Sequence, residues 1–138
     1  AVFSDILSFL ECVASRKYVA IDFYDGSIMY DFANGKTTIC DIDLFHKQPC
    51  VNDMGRMWGS SRFQSPEEYQ LGADIDEITN VYTLGATAFA LFGEYNRTRE
   101  KWQLSDKLFE IATRAVSDDR TKRQQSIRQF TAEWEAAQ

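Results

Sequence analysis

Two stretches of the chain put carboxylates among residues that favour burial. In "YVAIDFYDGSIMYDF" (residues 18–32), Asp22, Asp25 and Asp31 stand among Val, Ile, Met, Phe and Tyr. In "TTICDIDLF" (residues 37–45), Asp41 and Asp43 flank Ile42. If paired strands bring Asp22 and Asp41 into one neighbourhood, the two carboxylates and the Ser27 hydroxyl can hold Mg²⁺, which takes few protein oxygens and completes its shell with water and phosphate. One carboxylate can instead serve as a general base. Asp25 and Asp31 sit in turn-like contexts and read as turn and strand-end residues. Asp41 follows Ile39-Cys40 and precedes Ile42, so it interrupts a strand that reads as buried. An unpaired carboxylate there would be strongly destabilising, and a metal or a hydrogen-bond network is expected to compensate it.

Other chemistries have little material to work with. The only histidine is His46, and the three cysteines (Cys12, Cys40, Cys50) form no C-x-x-C pair. A zinc site needs closer ligands than these, and any Ser-His or Cys-His nucleophile would have to use that one imidazole. The odd count and wide spacing of the thiols suit reduced cysteines in a cytoplasmic protein. The net charge of -6 disfavours nucleic-acid binding, because an acidic surface is repelled by phosphate backbones. No apolar run reaches membrane-spanning length, and no signal peptide is legible. The 138 residues, 44% of them hydrophobic, fit one globular domain over residues 1–138. The chain opens "AVFSDILSFLECVA", without Met and already in helical phase, so a longer parent protein is expected.

The elements that would position these acids follow from periodicity. Phe3, Ile6, Leu7, Leu10, Val13 and Ala14 recur at helical spacing, with Ser4 and Asp5 in the first turn and Arg16-Lys17 at the end. Residues 18–21 read as extended, 24–27 as a turn, 27–32 as a strand, 33–36 as an Asn-Gly hairpin turn and 37–45 as the returning strand. Residues 47–63, with Pro49, Gly55 and Gly59, read as a long irregular loop. Ser65-Pro66 followed by two glutamates reads as a helix start. Residues 79–92 are apolar on nearly every face and predict a helix buried all round. Further helices are expected over 104–116 and 126–137. The expected architecture is mainly α with one small hairpin that carries the candidate residues.

In this order the motifs resemble the C-terminal lobe of the eukaryotic-type protein-kinase-like superfamily, over almost the whole chain. "AIDFYDGS" stands where that family has its catalytic loop, H-R-D-L-K-x-x-N, which makes Asp22 the catalytic aspartate and Ser27 the metal-binding asparagine. "DID" stands for D-F-G, with Asp41 as the Mg²⁺ ligand and Asp43 as a further possible one. "GSSRFQSPEE" stands for the segment ending A-P-E, "NVYTLG" (residues 80–85) for the start of the buried central helix, and "DRTKR" (residues 119–123) for a late D-P-x-x-R. The resemblance implies an ion pair between Glu67 and Arg123.

What the resemblance implies is an ATP- and Mg²⁺-dependent phosphotransferase of the Ser/Thr kinase-like class. Asp22 would be catalytic, Ser27 and Asp41 would meet the cofactor, and Asp41, Ser27 and Asp43 would meet the metal. The acceptor, protein or small molecule, is left open. The nucleotide-binding N-terminal lobe would have to be supplied, since the chain contains no Gly-rich loop and no V-A-I-K lysine. Departures from the pattern motivate the alternative of a pseudokinase acting as a regulatory or protein-binding module. Ala20 and Ile21 replace the loop's histidine and arginine, Tyr24 its lysine and Asn80 the aspartate of the central helix. The segment 93–103 is too short for the helix that often docks peptides in this family. Asn80 is expected to cap the central helix.

Overall fold

The computed structural model describes residues 1–138. It is mainly α, with four helices and three small two-stranded antiparallel sheets. Helix α1 (Val2–Ser15) buries Phe3, Ile6, Leu7, Leu10 and Val13, the stripe its sequence spacing dictates. Lys17 then takes a left-handed φ of 62° and reverses the chain. Strand β1 (Tyr18–Val19) follows, and pairs with β4 (His46–Lys47).

Strands β2 (Ile28–Asp31) and β3 (Lys36–Ile39) form the expected hairpin, in register Ile28↔Ile39 to Asp31↔Lys36. Asp31 anchors its turn, accepting from the backbone N–H groups of Ala33 and Asn34. The returning strand is shorter than its residue types suggest. It ends at Ile39, and two residues on Asp41 adopts a left-handed φ of 56°, outside the range of regular extended backbone. Asp41, Ile42 and Asp43 are therefore exposed, so the buried, compensated Asp41 expected from the sequence is corrected.

Residues 47–63 are also more ordered than their composition suggests. Strand β5 (Cys50–Val51) pairs with β6 (Asp74–Ile75). The fully buried Asn52 donates to the carbonyl of Glu67 and accepts from the N–H groups of Met54 and Gly55. One side chain thus replaces several missing backbone partners, which is what a buried loop requires. The expected helix start at Ser65 is a single 3₁₀ turn, Pro66–Tyr69.

Helix α2 (Glu77–Phe92) is the central pillar, with Thr79 to Phe89 buried without interruption. Its cap is Asp76, which accepts from the N–H groups of Ile78 and Thr79. Asn80 lies a turn inside and has a different task, correcting the capping role expected of it. Helices α3 (Asp106–Ala115) and α4 (Ile127–Ala136) pack around α2. The main core joins α1, α2, α3 and α4 through Phe3, Leu84, Phe89, Leu108, Phe130 and Trp134, with Trp102 packed among them. Phe3 lies 4.7 Å from Trp134 and Phe89 5.2 Å from Trp102 between ring centroids. No helix is long and apolar enough to cross a membrane.

The approach of α2 to α3 depends on Gly85. A Cβ there would stand 2.8 Å from the Ala115 methyl and 2.9 Å from the Ala112 carbonyl oxygen. The second contact is backbone and cannot rotate away. Gly85→Ala is therefore expected to destabilise the fold by about 1–3 kcal/mol through overpacking, despite the better helix propensity of alanine. Urea unfolding of the variant checks this, and an unchanged midpoint would contradict it.

Candidate functional site

Asp22 and Asp41 occupy two separate loops, one after β1 and one after β3. Both sit at left-handed φ, 60° and 56°. Aspartate tolerates this region better than most residues, yet it is sparsely populated and marks places where the surroundings hold the backbone in position. The two loops share a neighbourhood. Burial pushes the Asp22 carboxyl above its ordinary value, and the charge of Asp41 pushes it further. A raised carboxyl is a stronger base, nearer the range in which proton abstraction is efficient.

The Asp22 loop is fixed from below. Asn80 is buried, and its Oδ1 accepts from the Ala20 N–H at 2.7 Å while its Nδ2 donates to the Ala20 carbonyl at 2.8 Å. An amide satisfies both backbone groups at once, and a carboxylate cannot, because it has no donor. We expect Asn80→Asp to destabilise the protein by about 1–3 kcal/mol near neutral pH. The loss should shrink toward acid, where protonation of the new carboxyl restores a donor and removes a buried charge. Denaturant titrations on both sides of this range test it; a pH-independent difference would argue against the two-bond tie.

Ser27 is placed differently from its expected role as a metal ligand. It is fully buried. Its hydroxyl accepts from the Tyr24 N–H, closing the turn Asp25–Ser27, and its carbonyl accepts from the Cys40 N–H at 2.9 Å. That second bond ties the Asp22 loop to the residue preceding Asp41. Ser27 therefore positions the two loops, and its hydroxyl is buried in the turn. Asp43 is exposed beside Asp41.

The donor set has a definite character. No group of three or more His, Cys, Asp or Glu side chains converges anywhere in the chain. Two mutually repelling aspartates do fit Mg²⁺, which is bound through one or two carboxylates with phosphate and water completing its octahedron. A cation held at Asp41 would offset the negative charge that adds to the effect of burial on Asp22. The arrangement does not fit a dedicated all-protein cage.

A cavity of about 240 Å³ lies between the two loops' neighbours, Ile21 and Leu44, and reaches His46, Cys50 and Met57. Burial and then Asp53 push the Cys50 thiol up, so it stays protonated and is no activated nucleophile beside His46. A second cavity, about 810 Å³, is lined mainly by apolar residues of α1, the β2–β3 hairpin and the end of α2. It includes neither Asp22 nor Asp41, and its size does not make it the centre of the chemistry.

The segment leading from the loop 47–63 into α2 is anchored by charge. Glu67 receives Arg123 at 2.6 and 3.0 Å and Arg120 at 3.0 Å, and Arg120 also grips Asp76 at 2.7 Å. Burial alone would raise the Glu67 carboxyl, but the hydrogen bonds and charge of Arg123, aided by Arg120, hold it below its ordinary value. Arg120 was not among the residues singled out by sequence; its proximity to Arg123 in "DRTKR" was the available signal.

Glu68, also unflagged by sequence, behaves in the opposite way. Burial raises its carboxyl from 4.5 to about 7, against the two hydrogen bonds it accepts from the N–H and hydroxyl of Ser65. A carboxyl raised on folding contributes stability below its unfolded value that is lost as pH rises through the folded one. Between pH 4.5 and about 7 that loss amounts to about 3 kcal/mol. Glu68→Gln keeps an acceptor for Ser65 and removes the titration. Its stability should therefore decline less than that of the wild type over this window, as measured by urea unfolding at each end. Parallel declines would refute it. A scan against protein-family models finds no match for this chain, and a search of curated proteins finds none.

Proposed function

We propose that the chain is the C-terminal lobe of a protein-kinase-like phosphotransferase, Ser/Thr kinase-like in class, acting with Mg²⁺ and ATP. The observation that carries this reading is the pairing of Asp22 and Asp41. Both sit at left-handed φ, in loops that the bond from the Cys40 N–H to the Ser27 carbonyl ties together, and the charge of Asp41 adds to the effect of burial on the Asp22 carboxyl. The order of motifs through Glu67, Asn80 and Arg123 supports it.

In this reading Mg²⁺·ATP supplies the transferable γ-phosphoryl group and the charge neutralisation that group needs. Asp41 and the exposed Asp43 would hold the metal. Asp22 orients the acceptor hydroxyl and takes its proton at a carboxylate oxygen. Asn80 and Ser27 hold the Asp22 loop from beneath. Such catalysis is mostly positioning, so the residues that fix the loops matter as much as the acids. A nucleotide-contacting lobe would have to complete the ATP site in this reading. The three unpaired thiols fit a cytoplasmic setting.

A second reading, a pseudokinase serving as a binding module, is favoured by one observation: the hydroxyl of Ser27 is buried in its turn, which leaves the metal one ligand short of the family pattern. Mg²⁺·ATP-dependent phosphoryl transfer by the intact protein separates the two. Transfer that is abolished in Asp41→Asn supports the enzyme. Nucleotide binding without Mg²⁺ dependence and without transfer supports the pseudokinase.

A further inference from the structure

We infer that the acceptor is an acidic polypeptide segment, read by Arg62 and Arg97. The carboxylates within ion-pairing distance of an arginine belong to Arg99, Arg114, Arg120, Arg123 and Arg128. Four exposed arginines, Arg16, Arg56, Arg62 and Arg97, have no carboxylate partner in a chain whose net charge is -6, and of these Arg62 and Arg97 are held over aromatic rings. Neither guanidinium floats freely. Arg62 lies over the Tyr95 ring at 4.7 Å, and Arg97 over the Tyr82 ring at 5.1 Å. Arg97 also donates to the Tyr82 hydroxyl at 2.8 Å and to the Arg62 carbonyl at 3.2 Å, which ties the two residues together.

Their position is beside the Asp22 loop. The Tyr95 hydroxyl donates to the carboxylate of Asp25, three residues beyond Asp22. Tyr24 packs on the cluster of Phe63 and Tyr82, which adjoins both arginines. Two stacked guanidiniums with donors still free make a preorganised receptor for carboxylates, since planar forks match carboxylate oxygens and lose little freedom on binding. The loop after α2, residues 93–103, thus contributes Arg97 to a charge reader.

The role as acceptor rests on the phosphotransferase reading; the binding of an acidic segment does not. The test uses the intact protein and three labelled peptides of equal length, each with one central Ser flanked by Glu, Gln or Lys, followed by fluorescence anisotropy at near-physiological salt. The Glu peptide is expected to bind about ten-fold or more tighter than the Gln peptide, as two or more charge-assisted contacts imply. Arg62→Gln and Arg97→Gln should each weaken it, and Arg62→Lys should retain part of the preference. If Arg97→Gln loses its fold by circular dichroism, the exposed Arg62→Gln carries the test alone. Equal binding of the Glu and Gln peptides, an unchanged affinity in Arg62→Gln, or tighter binding of a short single-stranded oligonucleotide overturns the inference. Phosphoryl transfer to other acceptors with no preference for Glu overturns it alone; binding of the Glu peptide without any transfer overturns the phosphotransferase reading and with it the acceptor role, and leaves the acidic-segment site standing.

Discussion

Glu67→Gln is expected to cost the fold about 3–5 kcal/mol, and more than Arg123→Met does. Arg123 is fully buried, with both terminal nitrogens on the Glu67 carboxylate. Removing the anion leaves a buried guanidinium whose other partners are the carbonyls of Ser117 and Ile78 and the face of Tyr82. These satisfy some hydrogens but not the charge. The reverse deletion is milder. Without Arg123, Glu67 keeps Arg120 at 3.0 Å, and Met fills much of the vacated volume. The double variant Glu67→Gln/Arg123→Met should cost less than the sum of the singles, with a coupling of about 1–3 kcal/mol, because neither stranded charge then remains. Urea unfolding of the four proteins measures this. Singles of equal size, or strict additivity, would show that Arg120 and the solvent already carry the load.

That cluster explains what the sequence made legible and what it did not. The buried pillar α2 was readable because residues from Val81 to Phe92 leave no polar face, and burial all round is the one environment that suits them. The hairpin was readable because Asn34-Gly35 separates two β-rich runs. Asp22 and Asp41 could be singled out as charges in apolar surroundings, but the end of β3 could not be located. The backbone has left the extended range by Asp41, and residue type alone does not reveal that a strand turns away. The order of the 47–63 loop hangs on Asn52, one polar side chain whose partners come from Met54, Gly55 and Glu67. No periodicity announces such a residue. The Asn80–Ala20 tie spans sixty residues, and the raised Glu68 carboxyl depends on burial by distant segments. Both are tertiary facts, and local patterns have no access to them.

Asp22→Asn in the intact protein is expected to lower phosphoryl transfer by about 10²–10⁴-fold, the range associated with loss of a positioned acid–base group. The fall should lie in kcat, with KM for ATP little changed, since Asp22 faces the acceptor hydroxyl in this reading and makes no claim on the nucleotide. Asp41→Asn should lower transfer as well and raise the Mg²⁺ concentration needed for half-maximal rate, because it removes a metal carboxylate. Stability separates these roles from a structural one. Burial and the charge of Asp41 both disfavour ionised Asp22 in the folded state, so a neutral amide there removes a strain on the fold. Asn also tolerates the left-handed backbone at this position. Asp22→Asn should therefore be at least as stable as the wild type near neutral pH while its transfer rate collapses. A variant that loses activity and stability together would mean that Asp22 holds the loop and performs no chemistry. A variant that keeps full activity would remove Asp22 from the reaction and leave the paired aspartates without the role their geometry supports.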